Sequence, residues 1–354
     1  VTPITCLIRR ADGGFSFWKG GRVMGKRSIP ERLAALAVLE SRVSDRHPAY
    51  ERIRADLEMR LAGYAGEKKA DFYLEEARLK QKPVVLKDVM IPSGGKQVQV
   101  DTLVLHPAFV LVLEVKNMTG ELYFDDATGQ FYRFINGVRE GMRNPEDQIN
   151  RAIAATERFL ASIDLPVRVH GAIVLASYNG LVAKGPVSRP IFPVDRLPGH
   201  VEKLEEENRA ILKRADMQYV IDALNLLDRG KQDQYLKWYS LTVGDIRSGV
   251  RCPGCFGAGM ERGHGKWICK DCDASSNDAH LTALQEYRIL FGGQITSNDA
   301  QRFLGLINIQ SAIRLLSSSS QYTGNQKRNR KWTIPNEKYR LDQLVNHLMY
   351  KKKS

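Results

Sequence analysis

Two cysteine pairs constrain this chain more tightly than any other feature. "CPGC" (252–255) and "CKDC" (269–272) are separated by thirteen residues. Four thiolates so spaced suit a tetrahedral Zn²⁺, with Cys252, Cys255, Cys269 and Cys272 as ligands. Such a closed site staples a small module, and "GHGKWIC" between the pairs suits a short hairpin. The fifth cysteine, Cys6, stands alone. This usage is too sparse for a disulfide scaffold and points to a reducing compartment and a metal site.

The chain has 354 residues, enough for two or three domains with a substantial core. No apolar run approaches the ~20 residues that span a bilayer, and no signal-like apolar stretch opens the sequence. The expected location is a bacterial-type cytoplasm, with nucleoid association compatible, and no membrane partner is expected. The net charge is +13 and the pI about 9.5, an electrostatic footprint for polyanions such as nucleic acid. Lys327 to Ser354 alone carries +7.

Organisation follows from periodicity. Residues 1–29 are Gly-rich and basic, and helical spacing begins at Pro30 and resumes after His47-Pro48, giving a helical hairpin over about 30–62. "GYAG" then reads as a glycine turn, with a new helix from about Glu67. Strand-like runs follow at 83–91, 96–106 and 109–116, then "ELYFD" and "QFYRFI" flank a "DATG" hairpin turn. Residues 144–162 form a helix with Asn144 as N-cap and Pro145 in its first turn, and 167–177 is a buried strand. The order predicts a mixed α/β core flanked by helices. The expected divisions are 1–62, a basic segment and helical hairpin; 63–180, the α/β core; 181–250, a mostly helical connection; 251–280, a zinc-ribbon-like module; and 281–354, a basic C-terminal domain.

Chemistry concentrates where "FVLVLEVK" ends. Glu114 and Lys116 stand two apart on a strand and so share a face. The "HPAF" turn folds "QVQVDTLVLH" back along this strand, placing Asp101 across from Glu114 or Lys116. Two apposed carboxylates repel unless a hard cation such as Mg²⁺ or Mn²⁺ relieves them. Such a metal acidifies water and offsets charge on a phosphorus, and a nearby lysine stabilises the same charge. On spacing alone, Glu-x-Lys on a strand is more often a cross-strand ion pair than a catalytic pair.

"GYAGEKKADFYL", "VQVDTLVLHPAFVLVLEVKNMTG" and "NPEDQINRA" occur in this order over about 63–180. Together they resemble the nuclease-related domain (NERD) family, a branch of the PD-(D/E)xK nuclease superfamily. The resemblance implies a restriction-endonuclease-like fold and Mg²⁺-dependent phosphodiester hydrolysis. It makes Asp101 and Glu114 metal ligands, Glu67 an acid near the metal, Lys116 the catalytic lysine and Gln148 a polar residue facing the site. Val100 stands where the wider superfamily often has proline, so the likeness rests on the NERD pattern.

Beyond the cysteines, "ITSNDAQRFLGLINIQSAIRLLSSS" reads helix, turn, helix, with Ser297 or Asn298 as cap, and "GNQKRNRKWTIP" reads as a basic hairpin. Helix-turn-helix followed by a basic wing resembles winged-helix DNA-binding domains, which implies Arg314 on the second helix and Lys327, Arg328, Arg330 and Lys331 on the wing as contacts. The helix offers few polar side chains (Asn308, Gln310, Ser311, Arg314), so backbone-dominated binding is expected. The expected function is a metal-dependent nuclease acting on DNA, its accessory modules positioning the substrate. The competing readings are a non-catalytic nucleic-acid binder with a vestigial core, and an interaction component of a defence or signalling system. A homo-oligomer is compatible with each.

Overall fold

The computed structural model describes residues 27–227, 234–322 and 331–351. It divides into two compact units, one of residues 1–27 and 62–230, the other of residues 28–61 and 231–354. Helices α1 (Glu31–Arg42) and α2 (Tyr50–Glu75) open the described chain. α2 is one uninterrupted helix of 26 residues, where the sequence suggests a turn at Gly63 and a fresh start near Glu67. Neither Gly63 nor Gly66 adopts a positive φ. Gly66 is small because it packs: a Cβ there would lie 2.8 Å from Asn117 Cβ and 3.1 Å from Ala176 Cβ.

The first unit is built on a five-stranded sheet ordered β1-β2-β3-β7-β9. Its antiparallel part comprises β1 (Val84–Ser93), β2 (Lys96–His106) and β3 (Phe109–Lys116). The chain then makes β4 (Gly120–Asp125), β5 (Gln130–Ile135) and β6 (Val138–Met142), crosses through α3 (Pro145–Ser162), and returns as β7 (Val169–Leu175) parallel to β3. β8 (Gly180–Lys184) joins β4 in a second sheet ordered β6-β5-β4-β8, so the expected hairpin has a partner on each side. β9 (Ile191–Pro193) runs parallel to β7, and α4 (Leu197–Glu207) and α5 (Arg214–Leu227) follow.

Alternation along β3 divides the core. Val110 and Val112 pack with Ile149, Ile153 and Phe159 of α3, whereas Phe109, Leu111 and Leu113 pack with Ala70 and Leu74 of α2 and Val201 of α4. A strand buried on both faces reads as the continuous apolar run seen in the sequence. Asn144 caps α3 as expected, its side chain accepting from the Glu146 amide. The result is a mixed α/β core of restriction-endonuclease-like type.

The second unit continues with α6 (Tyr235–Trp238) and a four-stranded sheet of β10 (Val250–Arg251), β11 (Ala258–Arg262), β12 (Trp267–Ile268) and β13 (Ser275–Ser276). Next come α7 (Ala279–Phe291), β14 (Gln294–Thr296), α8 (Ser297–Leu304), α9 (Ile309–Ser319), β15 (Gln321–Tyr322), β16 (Lys331–Thr333) and α10 (Asp342–Lys351). β14, β16 and β15 form a three-stranded sheet in that order. Thr296, not Ser297 or Asn298, caps α8, accepting from the Asp299 amide, and Gly305 ends it in the left-handed region. Glu286 of α7 is fully buried between Arg42 and Arg251, and Arg42 also lies 4.2 Å over the Phe303 ring.

Candidate active site and accessory metal centre

The register of β2 and β3 pairs Thr102 with Leu113, which sets Asp101 beside Glu114 at the end of the ladder. By alternation, Asp101 shares a face with Leu103 and Leu105, and Glu114 and Lys116 share one with Val110 and Val112, all on the side covered by α3. Asp101 accepts from the Val115 amide at 3.1 Å through Oδ2. Lys116 Nζ pairs with Glu114 Oε1 at 2.5 Å. Glu67, on α2, is tied to the same sheet end through Arg27, which donates to Glu67 Oε2 and to the Asp101 carbonyl, both at 3.0 Å.

These acids are electrostatically frustrated. Burial, then the neighbouring Asp101 charge, pushes both Glu67 and Glu114 up to about 7. Burial also raises Asp101, against the pull of Lys116. Arg151, one helical turn beyond Gln148 on α3, acts on Glu114 in the opposite sense. Gln148 itself has a buried Oε1 without a hydrogen-bond partner among the described residues. An oxygen-only donor set with excess negative charge, beside an unmatched acceptor oxygen, fits a hard divalent cation. Glu67, Asp101 and Glu114 would hold it. Their oxygens are not drawn as close as the cysteine thiols, the one group of three or more such ligands within 4.8 Å among the described residues. Lys116 and Arg27 stand instead as counter-ions.

Two contributors escape sequence reading. Arg27 donates to both Asp71 oxygens at 2.9 Å, to Glu67 Oε2 and the Asp101 carbonyl at 3.0 Å, and to Thr102 Oγ1 at 2.8 Å. Asp88 lies between the β1–β2 pairs Lys87–Thr102 and Val89–Val100, hence opposite Asp101, and has a φ of 55°. Its charge raises both Glu67 and Asp101. A sequence signal for Asp88 exists, an acid interrupting an apolar strand, but nothing local distinguishes it from a solvated residue. His106 is satisfied elsewhere, 3.0 Å from the Gln81 carbonyl and 3.1 Å from Glu205.

In the second unit, Cys252 and Cys272 Sγ lie 3.6 Å apart, as do Cys255 and Cys269. A tetrahedron with Zn–S bonds of 2.3 Å has S···S edges of about 3.8 Å, whereas a disulfide needs about 2 Å. The four free thiols are therefore spaced to share one metal. Each pair is followed by a residue in the left-handed region, Phe256 and Asp273. Of the expected DNA contacts, Arg314 is exposed on α9 and Lys331 begins β16, whereas Lys327, Arg328 and Arg330 lie outside the described residues. Asn308 is engaged as the N-cap of α9. Arg262, from β11, feels the Arg314 charge, and its Nη1 is shielded and makes no hydrogen bond among the described residues.

Residues 62–176 match the family model of the nuclease-related domain. Over this stretch, about a third of its length, the chain is similar to the nuclease-related domain. The stretch spans α2 from its middle through β7 and so contains Glu67, Asp101, Glu114, Lys116 and Gln148. No curated protein and no solved structure matches the chain. Among the described residues, no helix is long and apolar enough to cross a membrane.

Proposed function

We propose that the chain is a metal-dependent nuclease that hydrolyses phosphodiester bonds in DNA. One observation carries this reading. Glu67, Asp101 and Glu114 occupy one largely buried site with Lys116, and two of these carboxylates are pushed up to about 7. Four carboxylates, Glu67, Asp71, Asp101 and Glu114, meet three cations, Arg27, Lys87 and Lys116, and a divalent cation would offset the acidic excess that remains. A Mg²⁺ or Mn²⁺ held there supplies an acidified water and positive charge opposite the phosphate. Lys116 Nζ, already on the site's floor beside Glu114, is placed to steady negative charge on the scissile phosphate. Gln148 Oε1 offers an acceptor for orienting the attacking water.

The second unit is read as the substrate-positioning half, with Zn²⁺ on the four cysteines. The succession α7–β14–α8–α9–β15–β16, with β16 between its partners, supports a winged-helix arrangement. Arg314, exposed on α9, offers a guanidinium suited to a backbone phosphate. The test is cleavage of linear and circular duplexes, single-stranded DNA and RNA by the wild type and Lys116→Ala, with Mg²⁺, Mn²⁺ or EDTA. Metal-dependent cutting of DNA that disappears in the variant is expected. Intact DNA binding with no cutting under any condition overturns the reading in favour of a non-catalytic binder.

A further inference from the structure

We infer that Arg27 is a positioning residue for the catalytic cation, supplied from outside the nuclease-related domain. This inference rests on the metal-dependent reading above. Arg27 lies 35 residues before the matched segment begins at residue 62, yet it belongs to the same compact unit. Its five N–H donors are all engaged and it is 7% exposed. The partners come from two elements. Glu67 and Asp71 are on α2, one turn apart, and the Asp101 carbonyl and Thr102 hydroxyl are on β2. Those elements each carry one of the proposed metal ligands, Glu67 and Asp101. A single planar guanidinium therefore fixes the spacing between them.

The chemistry of each contact sets the role. The fork on Asp71 is bidentate, which locks the plane and direction of the guanidinium. With that plane fixed, Nη1 reaches Glu67 through Oε2 only, and Oε1 accepts no hydrogen bond among the described residues. One carboxylate oxygen is held and the other is left for a ligand. Asp71 has a second cation, Lys87 at 3.1 Å, so Arg27 is not needed merely to neutralise it. The backbone of Arg27 is itself tied down, its carbonyl accepting from Tyr64 Oη at 2.9 Å. Outer-shell partners of this kind orient metal-binding carboxylates, and their loss typically weakens metal affinity about 10–100-fold.

The experiment measures Mn²⁺ binding to the zinc-loaded full-length chain by electron paramagnetic resonance, with no substrate and no turnover. Wild type, Arg27→Ala, Arg27→Lys and Asp101→Ala are compared, and thermal unfolding of each is recorded. Arg27→Ala is expected to weaken Mn²⁺ binding about 10–100-fold. Arg27→Lys, which keeps the charge and loses the fork, is expected to fall between it and wild type. An Arg27→Ala affinity equal to wild type, whatever its melting temperature, makes the residue structural and overturns the inference. Tighter binding overturns it too, for Arg27 would then be a competitor of the cation. If Arg27→Ala does not fold, Arg27→Lys decides alone, and unchanged affinity refutes. Failure of the underlying reading is recognised separately: wild type and Asp101→Ala would then not differ in Mn²⁺ binding.

Discussion

Gly63 and Gly66 offer a matched pair of substitutions whose difference isolates one steric contact. Both sit inside α2, less than a turn apart, with no positive φ. Replacing a helical glycine by alanine gains roughly 0.5–1 kcal/mol from backbone entropy and propensity. At Gly63 nothing lies within 4 Å of the new Cβ, so Gly63→Ala is expected to stabilise by that amount. At Gly66 the same gain meets Asn117 Cβ at 2.8 Å, Ala176 Cβ at 3.1 Å and Asn117 Cγ at 3.4 Å. Carbon atoms prefer about 3.5–4.0 Å, and forcing a methyl into a packed core typically costs about 1–3 kcal/mol. The propensity gain cancels between the two variants, leaving Gly66→Ala about 1–3 kcal/mol less stable than Gly63→Ala. Urea unfolding followed by far-UV circular dichroism measures this directly. The same contact borders the site, since Gly66 adjoins Glu67 and Asn117 adjoins Lys116. A misplacement of about 1 Å can lower rates about 100-fold, so a shift of a few tenths should lower cleavage by up to about tenfold in Gly66→Ala alone. Equal shifts of both variants in the same direction would refute the packing account of Gly66 and restore a turn-like role for the pair.

Three further outcomes are expected. Because Glu67 and Glu114 are held at about 7, above their ordinary value near 4.5, the folded metal-free protein binds protons more tightly than the unfolded chain. The stability they contribute is full below pH ~4.5 and is lost as pH rises through about 7, so melting temperatures across that window should show a loss that Mg²⁺ reverses in zinc-loaded protein. Glu286→Gln leaves the buried Arg42 and Arg251 without their shared counter-charge; breaking a buried pair from one side typically costs about 3–5 kcal/mol, to be read from denaturant unfolding. Arg314→Ala should weaken DNA binding uniformly across sequences and reduce the slope of log affinity against log salt by about one, with an unchanged slope counting against a phosphate contact.

Local signals carried most of the first unit. Asn144-Pro145 marked the start of α3, and the apolar runs around "HPA" marked β2, β3 and the turn between them. The glycines misled because Gly is ambiguous in one dimension. It signals a turn when φ must be positive and a close approach when a neighbour needs the room, and Gly66 is the second kind. The neighbours responsible, Asn117 and Ala176, are 51 and 110 residues away, beyond any periodicity. The fate of "DATG" shows the same limit. Its hairpin is local and legible, but the parallel strand β8 that completes the sheet comes from 180–184.

The site divides along the same line. Asp101, Glu114 and Lys116 were readable because one tight turn and a period of two bring them together. Arg27 and Asp88 were not, and their placement explains why the readable part is incomplete. Glu67, Asp71, Asp101 and Glu114 face Arg27, Lys87 and Lys116, and the Asp88 charge adds to the acidic side. A pattern of Asp, Glu and Lys accounts for the acids and one cation only. Arg27 joins Glu67 and Asp71 of α2 to the Asp101 carbonyl and Thr102 hydroxyl of β2, beside the apolar cluster that holds Ala70, Leu74 and Val104. Arg27 thus adds to Lys87 and Lys116 a third cation from a position that no Asp-Glu-Lys pattern contains, and the remaining negative excess is what a divalent metal is suited to neutralise.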